Sequence, residues 1–255
     1  MIGPQVEVRI AADTHALAVG AAQVLAAVAR TAMAERGRFV LGLSGGSTPS
    51  PLYRFLAGSA ADATLPWERT HLIWGDERCV PVGDAQSNYG SAASTGLLER
   101  PWSAVHRMRG ELPPEEGAAA YQAELMGLWP DAAETVPRAD AVLLGLGADG
   151  HTASLFLGSP ALAAVSRWVV ATEPHAGQRR LTLTLPVLRA ARLLVFLVAG
   201  RDKGAVAARV LGGGAPELPS ARVMESLPGL DDHRVVWLID QDAAGDFTGD
   251  VRSVA

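Results

Sequence analysis

Leu143-Leu144-Gly145-Leu146-Gly147-Ala148-Asp149-Gly150-His151-Thr152-Ala153-Ser154 is the stretch on which the reading of this chain turns. The apolar run from Ala141 to Leu146 breaks into glycines, as a buried strand does when it delivers its C-terminal end to a loop. The loop carries one carboxylate, Asp149, and one imidazole, His151. Residues two apart in an extended segment point the same way, so Asp149 is placed to orient His151. Ligands of open α/β sheets sit outside the carboxyl ends of the strands, which puts this loop at the centre of a site. Two other readings compete. Gly145-x-Gly147-x-x-Gly150 matches the dinucleotide fingerprint, but in mid-chain and with Asp149 where a pyrophosphate belongs. The plainer alternative is a structural loop whose histidine satisfies backbone groups.

Upstream, Phe39 to Leu43 reads as a strand running into Ser44-Gly45-Gly46-Ser47-Thr48-Pro49 and a helix, Leu52 to Ala57, stopped by Gly58. A glycine- and serine-rich turn before a helix N-terminus is an anion cradle in outline, because its backbone amides are free to face a phosphate or carboxylate. It lacks the lysine of a P-loop. Gly42-x-Ser44-x-Gly46 also matches the nucleophile elbow of a serine esterase, and a plain βα turn is the third reading. A third strand, His71 to Trp74, ends in Gly75-Asp76-Glu77-Arg78-Cys79. There Asp76 is a candidate base or orienting acid, Arg78 can polarise a carbonyl or pair with a phosphate, and Cys79 is read as a packed thiol.

Flanking elements fill the pattern. A strand at Val6 to Ile10 precedes an Ala-rich helix capped by Asp13 and stopped at Gly37, and Ser87 caps another helix. A peripheral helix runs from Pro113 to about Leu128. Downstream, Trp168 to Ala171 is a strand, Arg180 precedes the alternating strand Leu181 to Leu185, and Leu193 to Val198 is a fully apolar one. Gly200-Arg201-Asp202-Lys203-Gly204 is then a turn into a helix over Ala205 to Leu211, and Val235 to Ile239 is the last strand. The polar tail from Gln241 is expected to fray. Alternating strands and helices imply an α/β fold, a Rossmann-like mostly parallel sheet flanked by helices, with one domain over residues 1–255. Ser44 to Thr48, Asp76 to Arg78, Asp149 to His151 and Arg201 to Lys203 would then share one edge of the sheet.

Bulk properties narrow the function. The chain has 255 residues and a formal net charge of -5, so it offers no general nucleic-acid surface and must hold any anionic ligand with a local cluster. The single cysteine forbids an internal disulfide and fits a reducing compartment. No histidine/cysteine cluster has metal-ligand spacing, so neither a metal nor another cofactor is expected. Neither a signal peptide nor an apolar run of membrane-spanning length is expected of it, which implies a cytoplasmic protein without a membrane partner, as a monomer or small homo-oligomer.

The ordered set Leu43-Ser44-Gly45-Gly46-Ser47-Thr48-Pro49, Trp74-Gly75-Asp76-Glu77-Arg78, Ser87-Asn88-Tyr89, Gly145 to Phe156, Arg180-Leu181-Thr182-Leu183-Thr184-Leu185-Pro186 and Gly200 to Lys203 resembles the 6-phosphogluconolactonases, whose superfamily is shared with glucosamine-6-phosphate isomerase/deaminase. That resemblance implies hydrolysis of 6-phospho-D-glucono-1,5-lactone to 6-phosphogluconate in the oxidative pentose phosphate pathway, with no nicotinamide and no metal in the chemistry. It implies His151 as the general base for water, Asp149 as its orienting acid and Arg78 at the lactone and phosphate end. It also implies Ser44, Gly45, Gly46, Ser47, Thr48, Arg180 and Lys203 as the phosphate holders, with Asp76 and Gly147 as further site residues. The chemistry agrees: a lactone is an activated ester, and imidazole, with an ordinary pKa of about 6.5, is a suitable base for water. Competing activities are the sister deamination, serine esterase chemistry at Ser44, and a non-catalytic sugar-phosphate binding module. Against deamination, Arg78 replaces the tyrosine and Phe156 the acid expected of that sister activity.

Overall fold

The computed structural model describes residues 5–61, 64–130, 136–230, 232–245 and 252–253. Its strands are β1 (Gln5–Ala11), β2 (Phe39–Leu43), β3 (Thr70–Trp74), β4 (Asp76–Arg78), β5 (Ala104–Val105), β6 (Ala141–Leu144), β7 (Val169–Ala171), β8 (Arg180–Leu183), β9 (Leu193–Val198), β10 (Arg234–Asp240) and β11 (Arg252–Ser253). Eight of them form one sheet in the order β11-β1-β10-β9-β6-β2-β3-β5, every pairing parallel. The central strands β2, β6 and β9 are buried along their whole length. That is why they are continuous apolar runs without alternation: both faces of a parallel sheet are covered.

The order contains a reversal. From β2 the chain moves to β3 on one side, whereas β6 leads to β9 on the other. Loops leaving the C-terminal ends of β2 and β6 therefore diverge and leave a crevice between them, the place where open α/β sheets bind ligands. Asp140, just before β6, sets the opposite end of this pair. It is 2% exposed and accepts from the Val40 amide at 2.7 Å and from Arg36 at 2.9 Å.

The helix Thr14–Arg36 follows its signals closely. Asp13 accepts from the Ala16 amide, and Gly37 closes the helix with φ 69° and its own amide on Met33. At 23 residues it is long and apolar enough to cross a membrane, which corrects the expectation that no apolar run reaches that length. Half of its most apolar stretch is buried inside the protein.

Three further readings are corrected. Asp76 to Arg78 is not a bare turn but β4, the edge of a second sheet, order β4-β8-β7, in which both pairings are antiparallel. Arg180 belongs to β8 rather than preceding it. Arg201 to Gly204 is the first turn of the helix Arg201–Leu211, entered through Gly200 at φ 94°. Of the tail, Gln241–Ala244 is a short helix capped by Asp240, and Arg252–Ser253 adds a strand after β10. The rest of the expected frayed segment lies outside the described residues.

Candidate active site

A cavity of about 250 Å³ opens at the crevice. Around it stand Ser44 to Pro49 from the end of β2, Gly145 to Gly147 and His151 to Ala153 from the end of β6, and Lys203 from the helix after β9. The small sheet supplies Asp76, Arg78 and Arg180, and Asn88 closes the wall. Every expected site residue lines this space except Asp149, which reaches it through His151.

The acid–base pair is local. Asp149 Oδ1 lies 2.5 Å from His151 Nδ1 and accepts from the His151 amide at 3.2 Å. The backbone is not the extended segment that spacing suggested. Gly150 turns at φ 83°, its amide donates to the Gly147 carbonyl at 2.9 Å, and the Gly147 amide donates to the His151 carbonyl at 2.9 Å. The carboxylate folds back over its own turn to meet the ring, as short acids do. Gly147 lies directly beneath, where an added Cβ would fall 2.0 Å from His151 Nδ1 and 2.6 Å from Asp149 Oδ1. Burial pushes the Asp149 carboxyl up, but the hydrogen bonds from the His151 ring and amide outweigh it and hold the carboxyl below its ordinary value. An ionised Asp149 fixes the proton on Nδ1 and leaves the Nε2 lone pair available as a base.

The groups suited to hold an anion come from distant parts of the chain. Gly46 passes through the cradle at φ 92°. Among the described residues, the amides of Gly45 to Thr48 donate to no other protein group. A support not evident from sequence is Tyr53, buried beneath the turn, whose hydroxyl donates to the Ser44 carbonyl at 2.6 Å and accepts from the Ser44 amide at 3.1 Å. Ser44 Oγ is buried without a partner, so it is not hydrogen-bonded to an imidazole as an activated serine nucleophile must be.

Arg78 and Arg180 are adjacent in the β4–β8 ladder. Arg78 donates through Nη1 to the Gln86 carbonyl at 2.6 Å, while Nε of each guanidinium is buried and unpartnered. Burial, reinforced by the Arg78 charge, pulls the Arg180 guanidinium below its ordinary value, against the opposing pull of Asp76 and Asp149. Two crowded cations with buried unpaired donors have the chemistry to hold an anion. Lys203 completes the ring, its Nζ 3.0 Å from Asp202.

The carboxylates of β4 are supports. Asp76, 5% exposed, accepts from Ser154 Oγ at 2.6 Å and from Asn88 Nδ2 at 3.2 Å. Glu77 accepts from the amides of Arg78, Asn88 and Tyr89 at 2.6 to 2.8 Å, capping the helix Asn88–Ala93 from eleven residues away. Cys79 lies outside this cavity, and burial pushes its thiol up to about 11, which leaves it unreactive. Sequence reading also missed Asn88 and Ser154 as the two clamps on Asp76, because no local pattern announces either.

The sequence matches, over residues 12–237, the family described as glucosamine-6-phosphate isomerases/6-phosphogluconolactonase. It is 40% identical to a 6-phosphogluconolactonase of Synechocystis sp. over 216 residues, covering 83% of this chain and 86% of that one. It is 39% identical to a 6-phosphogluconolactonase of Rattus norvegicus over 216 residues, covering 82% and 81%. The fold overlays on the 6-phosphogluconolactonase of Trypanosoma cruzi with a TM-score of 0.82 at 25% identity, covering 97% of this chain and 99% of that one. On the family match and the identity with these relatives, this chain belongs to the glucosamine-6-phosphate isomerase/6-phosphogluconolactonase family.

Proposed function

We propose that the protein hydrolyses 6-phospho-D-glucono-1,5-lactone to 6-phosphogluconate, with His151 as the general base. The observation that carries this reading is a base and an anion cradle sharing one cavity: the Asp149–His151 pair at 2.5 Å on one side, the Ser44 to Thr48 turn with Arg78, Arg180 and Lys203 on the other. The substrate's phosphate occupies the cradle and takes hydrogen bonds from the free amides and the cations. That fixes the lactone carbon beside His151.

His151 Nε2 removes a proton from water as the oxygen bonds to the lactone carbon. Arg78 receives the oxyanion of the tetrahedral intermediate. The bond from carbon to ring oxygen then breaks, and Nε2 returns its proton to that oxygen. Asp149 keeps the ring in the tautomer that both steps require. No covalent nucleophile enters, consistent with the unpartnered Ser44 hydroxyl.

The test is turnover of freshly generated 6-phosphogluconolactone, corrected for spontaneous hydrolysis, beside the unphosphorylated glucono-1,5-lactone. Efficient turnover of the first and at least about 10²-fold lower kcat/KM on the second is expected from two or three lost charge-assisted contacts. Equal efficiency on both would overturn the cradle. Binding without turnover would leave only a sugar-phosphate binding protein.

A further inference from the structure

Phe156 follows the His151 loop and is 6% exposed. Three groups from three segments meet its ring. His151 tilts against it at 4.6 Å between centroids and 42°. The Arg180 guanidinium carbon stands 5.4 Å from its centroid. On it stacks His175, at 3.7 Å and 12°. His175 sits at the tip of the β7–β8 hairpin, a turn closed by reciprocal amide–carbonyl bonds with Gln178 at 3.0 and 3.1 Å. Ala176 and Gly177 pass through it at φ 51° and 78°.

His151 and Arg180 therefore share one neutral wall. Asp149 restrains His151 through Nδ1 alone, which leaves the ring free to swing about that bond. Arg180 Nε has no hydrogen-bond partner to hold it. An aromatic plate supplies what both lack: it fixes the imidazole plane by edge-and-face packing and the guanidinium by its π face.

We infer that Phe156 is a positioning residue that sets His151 and Arg180 at one mutual distance, and that the hairpin tip carrying His175 presses this plate into place. The inference rests on the lactonase reading of the site for its kinetic readout, but not for its structural one. Misplacement of a base by an ångström is enough to lose orders of magnitude.

The experiment has three variants and two readouts. Phe156→Leu keeps an apolar side chain but removes the ring, and kcat on the phosphorylated lactone should fall by about 10- to 10²-fold, with KM rising several-fold. Phe156→Tyr keeps the ring and should restore kcat to within about threefold. His175→Ala, at an exposed tip, should lower kcat by about two- to tenfold with KM little changed. The second readout is the side-chain rotamer of His151 in ligand-free protein, read from three-bond couplings about its Cα–Cβ bond. Wild type and Phe156→Tyr should show one rotamer, and Phe156→Leu averaged couplings. A Phe156→Leu protein with kcat within twofold of wild type, or an unchanged single His151 rotamer, overturns the inference. A wild-type protein inactive on the lactone overturns the proposed function instead, and the rotamer measurement then decides the positioning role by itself.

Discussion

The two halves of the cavity are built in opposite ways. The base half is contiguous: Asp149 and His151 are two residues apart, hydrogen-bonded at 2.5 Å and arranged by one turn. The anion half is assembled from Ser44 to Thr48, Arg78, Arg180 and Lys203, spread over roughly three-fifths of the chain and brought together only by the two sheets. The base half has its hydrogen bond in place within one turn, whereas the other half holds two guanidinium Nε atoms and the Ser44 hydroxyl buried without partners. Local sequence can preorganise a proton acceptor. Holding like charges such as Arg78 and Arg180 side by side needs the whole fold.

The sharpest break in this comparison is His151→Ala. It should lower kcat by about 10²–10⁴-fold, the usual worth of a positioned base. Phosphate binding should survive, because the anion half draws nothing from it. Steady-state kinetics with phosphate as competitor measures both at once. Near-wild-type turnover in the folded variant removes His151 from the mechanism.

Arg180→Leu probes the other half and should trade binding for stability. Loss of one charge-assisted contact raises KM for the phosphorylated lactone by about 10- to 10²-fold. The same change relieves a half-buried, crowded guanidinium, so the ligand-free protein should melt about 2–4 °C higher. Inorganic phosphate should raise the wild-type Tm more than that of the variant. A lower Tm for the ligand-free variant would show that Arg180 is a structural brace.

The smallest expected effect concerns acid stability of the base half. The folded-state value of the Asp149 carboxyl is depressed, so its stabilising contribution is full above the ordinary carboxyl value of about 3.9 and lost as pH falls through the lower folded one. Asp149→Asn removes that contribution, so the gap in Tm between wild type and variant should be constant near neutrality and narrow only below about pH 4. Thermal melts across pH 2 to 7, taken at about unit intervals, read this directly. A gap that already closes at pH 6 would mean that the carboxyl is not held down.

This contrast also explains how much was legible beforehand. The parallel sheet announced itself in apolar runs such as Leu193–Val198, and helix limits in Asp13, Gly37 and Ser87. Ser44 to Thr48 and Asp149 to His151 could be picked out because glycine, hydroxyl and acid–base spacing are local signals. The pairing of Asp149 with His151 was right for the wrong backbone: Gly150 makes a turn, not an extension. The small sheet stayed hidden because β4 is three charged residues, one residue beyond β3, with no alternation to read. Its register against Arg180 to Thr182 is a long-range fact. The supports, Tyr53 under the cradle and Asn88 and Ser154 on Asp76, were invisible for the same reason.

Gly147 gives a rule for reading other genomes. The acid and the base close over its bare α-carbon, and even a methyl group there would stand where they meet. A related chain can keep the fold, the Asp-Gly-His letters and the phosphate turn and still carry a side chain at this one position. In such a chain the imidazole would be pushed off its acid, and on the mechanism proposed above it should still bind sugar phosphates but fail to hydrolyse the lactone. One glycine would thus mark, in an otherwise similar protein, the loss of catalysis with recognition kept.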